Sequence, residues 1–526
     1  MSRKRTLLIS LLLSLPVIFF LLHHYFHHAP ELKPTGFTVN ENVLYMSYAH
    51  QYLDADHFSL FYSNPFDGDP SSPKIYFQPV NFLFAAAMKA GMDPGLCFSL
   101  FGLLMTIACI YLGVRIIQLL LPGYSRQTFI ATLFTWGGGL TAIVGLLGST
   151  FLAGHHYEQW LDGISLADPA NGWWGLNWGR NLFIPLEAFY HFLFLLNIYL
   201  VLKKKWIAAI IASFFLSISH PFTGIEYLSL LIGWLVLEKF IYKNQTIPYW
   251  FAGAILAITA FHGWYYLVYL NQFPEHRQLF SQYSAGWTYS LLVAIPAYCL
   301  VGALSLLTAW KGKPLKNFLS SSYQRLFLCW AIISFLLSKH EWFIKPMQPI
   351  HFTRGYTWAG LFLLSLPGLV WLIDHLQKNR IQKWLLAGLV LIFLSDNILW
   401  ISNLLRKKEN TEWEGHITKD TAETLLFLKK NASSNDLLVG DATLINYLAN
   451  VYSSANAWVS HPYNTPNIEE RAKQENSFLV TGIRPAAWNG RRILIVIDKK
   501  KGFLMLSPGL AAHHVFENDS YWIATP

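Results

Sequence analysis

The chain has 526 residues, of which 53% are hydrophobic and only 13% are charged. Soluble domains carry about 25% charged residues, so this balance excludes an ordinary soluble protein and predicts a polytopic membrane protein. The net charge of +9 comes mainly from short Lys and Arg clusters between apolar runs, a topology signal that excludes a nucleic-acid partner.

The first apolar run, residues 6–22, follows the basic segment Met1–Arg5 and is not followed by a small-residue cleavage site. We therefore expect an uncleaved first span with a cytoplasmic amino terminus. A span needs about 20 apolar residues, which gives ten further candidates and about eleven transmembrane helices. The ten candidates are 95–121, 127–150, 181–202, 206–220, 222–241, 248–270, 287–310, 324–340, 353–375 and 383–404.

The basic residues test this count, because cytoplasmic loops collect Lys and Arg. With the amino terminus inside, alternate loops hold Arg126, then 203–205, then 239–243, then 311–316 and then 378–383. The stretches 23–94, 151–180, 271–286 and 341–352 then face outward, together with the carboxyl-terminal region.

From about Lys407 the composition changes to that of a soluble domain. Residues 421–430 have helical periodicity, 436–439 and 493–497 are typical of buried strands, and a hairpin is expected around Asn518 and Asp519. We predict a transmembrane domain over 1–404, with 23–94 as its long first outer loop, and a small extracytoplasmic α/β domain over 405–526.

The long first outer loop carries the carboxylates that are candidates for chemistry. Glu41 is flanked by apolar and aromatic residues and can act as a general base on a hydroxyl, although Thr38 to Glu41 also fits a capping box. Asp54 and Asp56 can bind a divalent cation or a sugar hydroxyl, or can end a helix.

Asp67 and Asp69 are weaker candidates for the same metal or sugar contacts, since Asp67-Gly68-Asp69-Pro70 is a typical turn sequence. No zinc spacing, phosphate loop or nucleophile elbow occurs in the chain. No metal ligand set is therefore certain, and a divalent cation remains an open cofactor.

Four basic residues lie where outer loops meet spans, at the depth of a lipid phosphate: Arg354, Arg180, His220 and Lys345. Arginine suits phosphate through its fork of donors. Arg354 could instead snorkel to the interface, and His220 could cap a helix end. Trp173, Trp174 and His461 are candidates for stacking on an acceptor sugar, although tryptophan at this depth is also typical of the interfacial aromatic belt.

Three stretches, NENVLYMSYAHQYLDADHFSLFYSNPF, SISHPF and VYSSANAWVSHPYNTPN, together with the order of spans and loops, resemble the C-type membrane glycosyltransferases, and in particular poorly characterised bacterial members. That resemblance implies transfer of a sugar from a polyprenyl-phosphate carrier on the outer face of a bacterial inner membrane. Many relatives have an acidic pair in the first loop, where this chain has Asn40-Glu41.

The predicted function is an inverting glycosyltransferase with a lipid-linked donor and an envelope glycan, glycolipid or protein as acceptor. Glu41 would act on the acceptor hydroxyl, and Arg354, helped by Arg180 and His220, would stabilise the departing phosphate. A transporter or flippase of lipid-linked glycans would instead place ionisable groups near the bilayer midplane. A non-catalytic assembly protein would depend on the outward domain rather than on Glu41.

Overall fold

A computed structural model describes residues 2–39, 42–53, 59–69, 71–151, 176–282, 286, 288–311, 319–406, 412–501, 506–511 and 513–526. The chain is mainly helical and divides into two compact units. The helical unit comprises Met1–Phe20, Gly102–Trp264 and Ser284–Lys407. The mixed unit comprises Leu21–Phe101, Tyr265–Tyr283 and Lys408–Pro526.

Long apolar helices form the helical unit, and two of them, Leu15–Phe26 and Pro94–Leu120, continue into the mixed unit. A π-helical turn, Leu237–Ile241, extends one helix, and 3-10 turns occur at Gly179–Phe183, His340–Trp342 and Pro349–Phe352. The remaining helices are Arg3–Leu13, Gln127–Trp136, Thr141–Phe151, Pro185–Leu202, Trp206–Ser219, Pro221–Val236, Tyr249–Gly263, Leu291–Lys311, Ser322–Ser338, Tyr356–Leu364, Leu366–His375 and Arg380–Arg406.

Among the described residues, five helices are long and apolar enough to cross a membrane, or up to eight spans if each bent helix pair counts as one. These helices indicate an integral membrane protein. Each of the eleven segments predicted from sequence falls on a helix or a bent helix pair. The number eleven stays a prediction, since Trp206–Ser219 and Ser322–Ser338 have only 14 and 17 residues, short of the usual span of about 20.

One predicted span, 127–150, is broken at Gly137–Gly139 and bends by 48°. The fully buried carboxylate of Asp396 accepts hydrogen bonds from the backbone N–H groups of Gly139 (3.2 Å) and Ala142 (2.6 Å). A Cβ on Gly138 would lie 2.8 Å from the Cβ of Asp396, so only glycine permits this approach. The break is thus specified by glycine and by one buried acid.

The mixed unit contains a five-stranded sheet in the order β4-β3-β5-β7-β6. The strands β3 (Asp436–Val439), β4 (Asn456–Ala457) and β5 (Arg492–Asp498) are parallel. The strand β7 (Tyr521–Ala524) pairs antiparallel with β5, and β6 (His514–Glu517) pairs antiparallel with β7 at the edge of the sheet. The helices Lys419–Asn431, Thr443–Tyr452 and Ile468–Thr481 belong to the same region, and Trp488, Ile495 and Phe478 lie in its buried core.

The first outer loop contributes to the same mixed unit. Its short strand β1 (Leu32–Pro34) pairs antiparallel with β2 (His416–Thr418). Its helices are Asn42–His50 and Val80–Lys89, and Pro274–Gln282 also belongs to the unit. The predicted helix 421–430, the strands 436–439 and 493–497 and the terminal hairpin are confirmed as elements. An independent, outward-facing domain over 405–526 stays a prediction, because contacts group these residues with 21–101 and 265–283.

Candidate functional site

The buried guanidinium of Arg354 is the centre of a polar cluster in the helical unit. Arg354 is 2% exposed and forms an ion pair with Glu187, which lies in the first turn of the Pro185–Leu202 helix. Its Nε donates to the carbonyl of His351 (2.9 Å), and its Nη2 lies 2.6 Å from the His351 Nδ1. The backbone of Arg354 has a positive φ of 30° and is followed by Gly355 at 71°. This left-handed turn directs the chain into the Tyr356–Leu364 helix.

Three histidines complete the surroundings of Arg354. Both ring nitrogens of His191 face carbonyl oxygens, of Glu187 (2.6 Å) and of Arg354 (2.7 Å). His220 precedes the Pro221–Val236 helix, and its Nδ1 accepts from the Thr223 N–H (3.1 Å), so it is the N-cap of that helix. Phe222 stacks on His351 with ring centroids 4.7 Å apart. The stretches SISHPF and IHFTRGY therefore meet in space.

A second carboxyl group, that of Glu226, lies on the same helix as Thr223. Glu226 is fully buried and interacts electrostatically with Arg354. The Ser334 hydroxyl also interacts with it, yet among the described residues neither carboxyl oxygen makes a hydrogen bond of normal geometry. We call Glu187, His191, His220, Glu226, His351 and Arg354 the Arg354 cluster.

The Arg354 cluster lies near the ends of its helices rather than at their centres. Glu187 is the third residue of its helix, and Arg354 precedes the next helix by two residues. Glu226 is the sixth residue of its helix, about 8 Å along the axis from the first residue at 1.5 Å per residue. A bilayer core is about 30 Å thick, so this depth fits the edge of a span better than its midpoint.

Arg180, the second predicted phosphate ligand, has a different environment within the helical unit. Its Nη2 lies 3.1 Å from the Asp396 carboxylate, its Nε donates to Asn397 (3.2 Å), and its guanidinium stands over Trp400. Arg180 is 1% exposed and Asp396 is fully buried. The structure therefore pairs Arg180 with the acid that supports the glycine break, and does not bring it into the Arg354 cluster.

In the mixed unit, the candidate Asp67 is held by the carboxyl-terminal region of the chain. Arg471 Nη2 lies 2.5 Å from the Asp67 carboxylate, and the Arg471 guanidinium stacks over Trp458 at 4.1 Å. Asn64 donates to the Asn464 carbonyl (2.7 Å). Asp67 is thus a member of a buried ion pair, and a metal or sugar contact at this residue stays a prediction.

His461 and Asp69 are neighbours of this ion pair in the mixed unit. The His461 Nδ1 accepts from the Asn464 N–H (3.1 Å), the ring packs on Phe66, and burial lowers the pKa of His461 to about 4. The His461 ring is 3% exposed, and its contact with an acceptor sugar stays a prediction. Partial burial raises the pKa of Asp69, but hydrogen bonds from Ser71 outweigh this effect, so the net pKa lies below its ordinary value.

The other predicted site residues are less informative. Lys345 is exposed in the loop between Ser322–Ser338 and Tyr356–Leu364. No group of three or more potential metal ligands occurs among the described residues. Five candidates lie outside the described residues, and their roles stay predictions: Glu41, Asp54, Asp56, Trp173 and Trp174.

The acidic partners Glu187, Glu226 and Asp396 were not among the residues selected from sequence. Each is a single acid within an otherwise apolar helix: PLEAFYH, GIEY and LSDNIL. Ionisable residues inside membrane segments are rare and usually paired or functional, so this local signal was sufficient to select them. This local signal did not indicate which residues pair with the three acids.

No protein-family profile and no curated protein sequence matches the chain. Among solved structures, ArnT from Cupriavidus metallidurans bound to undecaprenyl phosphate aligns with 100% of this chain and 98% of its own at TM-score 0.49 and 11% identity. The Archaeoglobus fulgidus oligosaccharyltransferase AglB, in complex with an inhibitory peptide and a dolichol-phosphate, aligns with 94% of this chain and 69% of its own at TM-score 0.46 and 11% identity. The likenesses are too distant to transfer the role of any residue.

Proposed function

We propose that this protein is an inverting membrane glycosyltransferase that moves a sugar from a polyprenyl-phosphate donor to an envelope acceptor on the outer face of the membrane. Glu41 accepts the proton of the acceptor hydroxyl, which attacks the anomeric carbon as the bond to the phosphate oxygen breaks. Attack opposite to the leaving group inverts that carbon. The departing polyprenyl phosphate takes the electron pair of the broken bond and thereby gains a negative charge, which Arg354 stabilises.

The observation that carries the proposal is the meeting of SISHPF with IHFTRGY around Arg354. Residues far apart in sequence converge there, with Phe222 on His351 and with the Arg354 guanidinium held by Glu187 and His351. A fixed guanidinium near the end of membrane helices suits the phosphate of a lipid carrier, because arginine binds phosphate through paired N–H donors. An incoming phosphate competes with Glu187 for these donors.

The depth of the Arg354 cluster favours a glycosyltransferase over a transporter of lipid-linked glycans. Transporters usually carry their ionisable groups near the bilayer midplane. Here Glu187, Glu226 and Arg354 all lie within about two turns of a helix end. An assembly protein would not require a buried cationic cluster in its helices.

The decisive experiment measures sugar transfer by the purified chain in lipid, with radiolabelled polyprenyl-phosphate sugars and an extract of envelope acceptors. Glu41→Gln keeps the size of the side chain but removes the base, so transfer should fall by about 10²-fold or more. Glu31→Gln, which alters an exposed acid of the same loop, is the matched control and should retain transfer. Normal turnover by Glu41→Gln would refute the mechanism.

Metal dependence is tested in the same assay with a chelator. If Asp54 and Asp56 hold a divalent cation, as their carboxylates permit, chelation should abolish transfer and magnesium or manganese should restore it. Transfer that is insensitive to chelation would assign both residues to helix termination or sugar contact instead.

A further inference from the structure

Glu226 is a fully buried acid, and neither of its carboxyl oxygens makes a hydrogen bond of normal geometry among the described residues. An ionised carboxylate without strong donors is very costly in a dry interior, whereas the neutral acid is far less so. The polar groups beside it are mainly neutral hydroxyls: Ser334 interacts with Glu226 itself, Tyr298 with Thr357, and Tyr356 with Thr223. Neutral hydroxyls compensate a carboxylate less well than charged donors do, so these surroundings favour the neutral acid.

The net charge of the Arg354 cluster changes by one unit when Glu226 gains or loses its proton. Arg354 contributes one positive charge, and Glu187 cancels it through the ion pair. An ionised Glu226 would leave a buried net negative charge, while a neutral Glu226 leaves the cluster uncharged. His191 can add a positive charge, since only an imidazolium donates to both carbonyls that face its ring. In either state of His191, protonating Glu226 makes the cluster one unit more positive.

We propose that Glu226 is the proton-binding group that controls whether the Arg354 cluster accepts an anionic phosphate. This inference rests on the proposed function, in which the cluster receives the phosphate of the lipid donor. When Glu226 carries its proton, a phosphate entering beside Arg354 meets no uncompensated negative charge. When Glu226 loses the proton, the like charge repels the phosphate, and binding weakens. Glu226 is a positioning residue in this scheme, because it acts through Arg354.

Several other ionisable groups lie on the elements around the Pro221–Val236 helix, so the assignment of the proton must be tested against them. Among these groups, Glu187, Tyr190, His191, His262, Tyr298 and Tyr356 lie on neighbouring helices. Tyr289 lies just before the Leu291–Lys311 helix, and His351 lies on the 3-10 turn before Arg354. Glu226 and the nearby histidines all carry dissociable protons. Matched variants of both kinds therefore distinguish them.

The first measurement detects the proton directly and needs no ligand. Infrared spectra of the full chain in lipid, with and without ¹³C-labelled glutamate, should show at neutral pH a protonated carboxyl band that shifts with the label and is lost in Glu226→Gln. Glu475, whose pKa burial raises to about 8, contributes a protonated band of its own, so the loss in Glu226→Gln is measured in a Glu475→Gln background. In that background the labelled chain with Glu226 intact gives the band even if the Glu226→Gln variant folds poorly. Absence of any label-sensitive protonated carboxyl band at neutral pH would overturn the inference.

The second measurement follows equilibrium binding of undecaprenyl phosphate to the full chain as pH is raised. Wild-type affinity should fall by about tenfold or more between about pH 6 and about pH 9, because an unscreened buried charge is then created near the phosphate. Glu226→Gln should keep only the pH dependence that ionisation of the phosphate itself imposes, and His191→Gln should keep the full wild-type pH dependence. Ionisation of the phosphate itself is common to all three proteins.

The outcomes separate the two proposals. Binding with the same pH dependence in wild type and Glu226→Gln, or a dependence abolished only in His191→Gln, overturns the role of Glu226 and leaves the proposed function intact. Failure of wild type to bind undecaprenyl phosphate at any pH overturns the proposed function together with the control of phosphate entry. The infrared band then still decides whether Glu226 is a neutral acid.

Discussion

At the scale of single residues, the buried ion pair of Arg354 and Glu187 joins two segments that are 167 positions apart. Its side chains are 3% and 6% exposed. Removing one member leaves the other charged and without its partner in a dry interior, which costs more than the pair itself contributes. The pair is therefore a sensitive site for stability as well as for phosphate binding.

We expect Arg354→Ala to lower the free energy of unfolding by about 3–5 kcal/mol, since it leaves a buried carboxylate unpaired. The exposed pair Arg126–Asp374, at 2.8 Å, is the matched control, and Arg126→Ala should cost at most about 1 kcal/mol. Thermal or denaturant unfolding in one detergent compares the two variants. Equal losses of unfolding free energy in the two variants would show that water reaches the Arg354–Glu187 pair.

Glu475 in the mixed unit gives a prediction about pH. Burial raises the pKa of Glu475 to about 8, although a hydrogen bond from the Gly440 N–H opposes the shift. The unfolded carboxyl releases its proton near its ordinary value of 4.5, so the folded state binds more protons between pH 4.5 and about 8. Stability contributed by this group is complete below 4.5 and is lost as pH rises through 8.

The expected loss is up to about 1.4 kcal/mol for each pH unit in that window. Glu475→Gln should flatten the dependence, whereas Glu517→Gln, at an exposed acid, should not. Urea unfolding of the full chain, followed by pulsed hydrogen exchange at one fixed pH in β3 and β5, reports the local stability. A dependence unchanged by Glu475→Gln would assign the titration to another group.

At the scale of secondary-structure elements, the Pro221–Val236 helix begins at a residue that could serve structure, function or both. His220 caps the helix through Nδ1, and its ring stacks on Tyr190 at 4.4 Å. Sequence reasoning left a cap and a phosphate contact as alternatives, and the geometry supplies the cap. A role in phosphate binding beyond the cap stays a prediction.

Two substitutions separate these roles. His220→Asn retains a good N-cap and should keep most of the stability, whereas His220→Ala should lose about 1 kcal/mol. If His220 also contacts the donor, both variants should lose sugar transfer. Their free energies of unfolding should still differ, because only His220→Asn retains the helix cap. Full transfer by His220→Asn would confine the residue to capping.

At the scale of the whole molecule, the basic loops predict which parts of the chain face the cytoplasm. Lys205 lies in a predicted inner loop, and Tyr463 lies in the predicted outward region; both are exposed. After replacement of the four cysteines, an impermeant maleimide added outside intact spheroplasts should label Tyr463→Cys and not Lys205→Cys. Labelling of Lys205→Cys from outside would require a different number of spans.

Sequence alone determined the positions of the apolar helices, of the helix at 421–430, of the strands at 436–439 and 493–497 and of the terminal hairpin, because hydropathy and periodicity are local properties of the chain. It also located Arg354, Arg180 and Asp67 as residues of interest. Only the tertiary structure decided their partners, since Glu187, Asp396 and Arg471 lie 167, 216 and 404 positions away. Burial makes an ionic partner necessary, but the path of the chain selects which residue provides it.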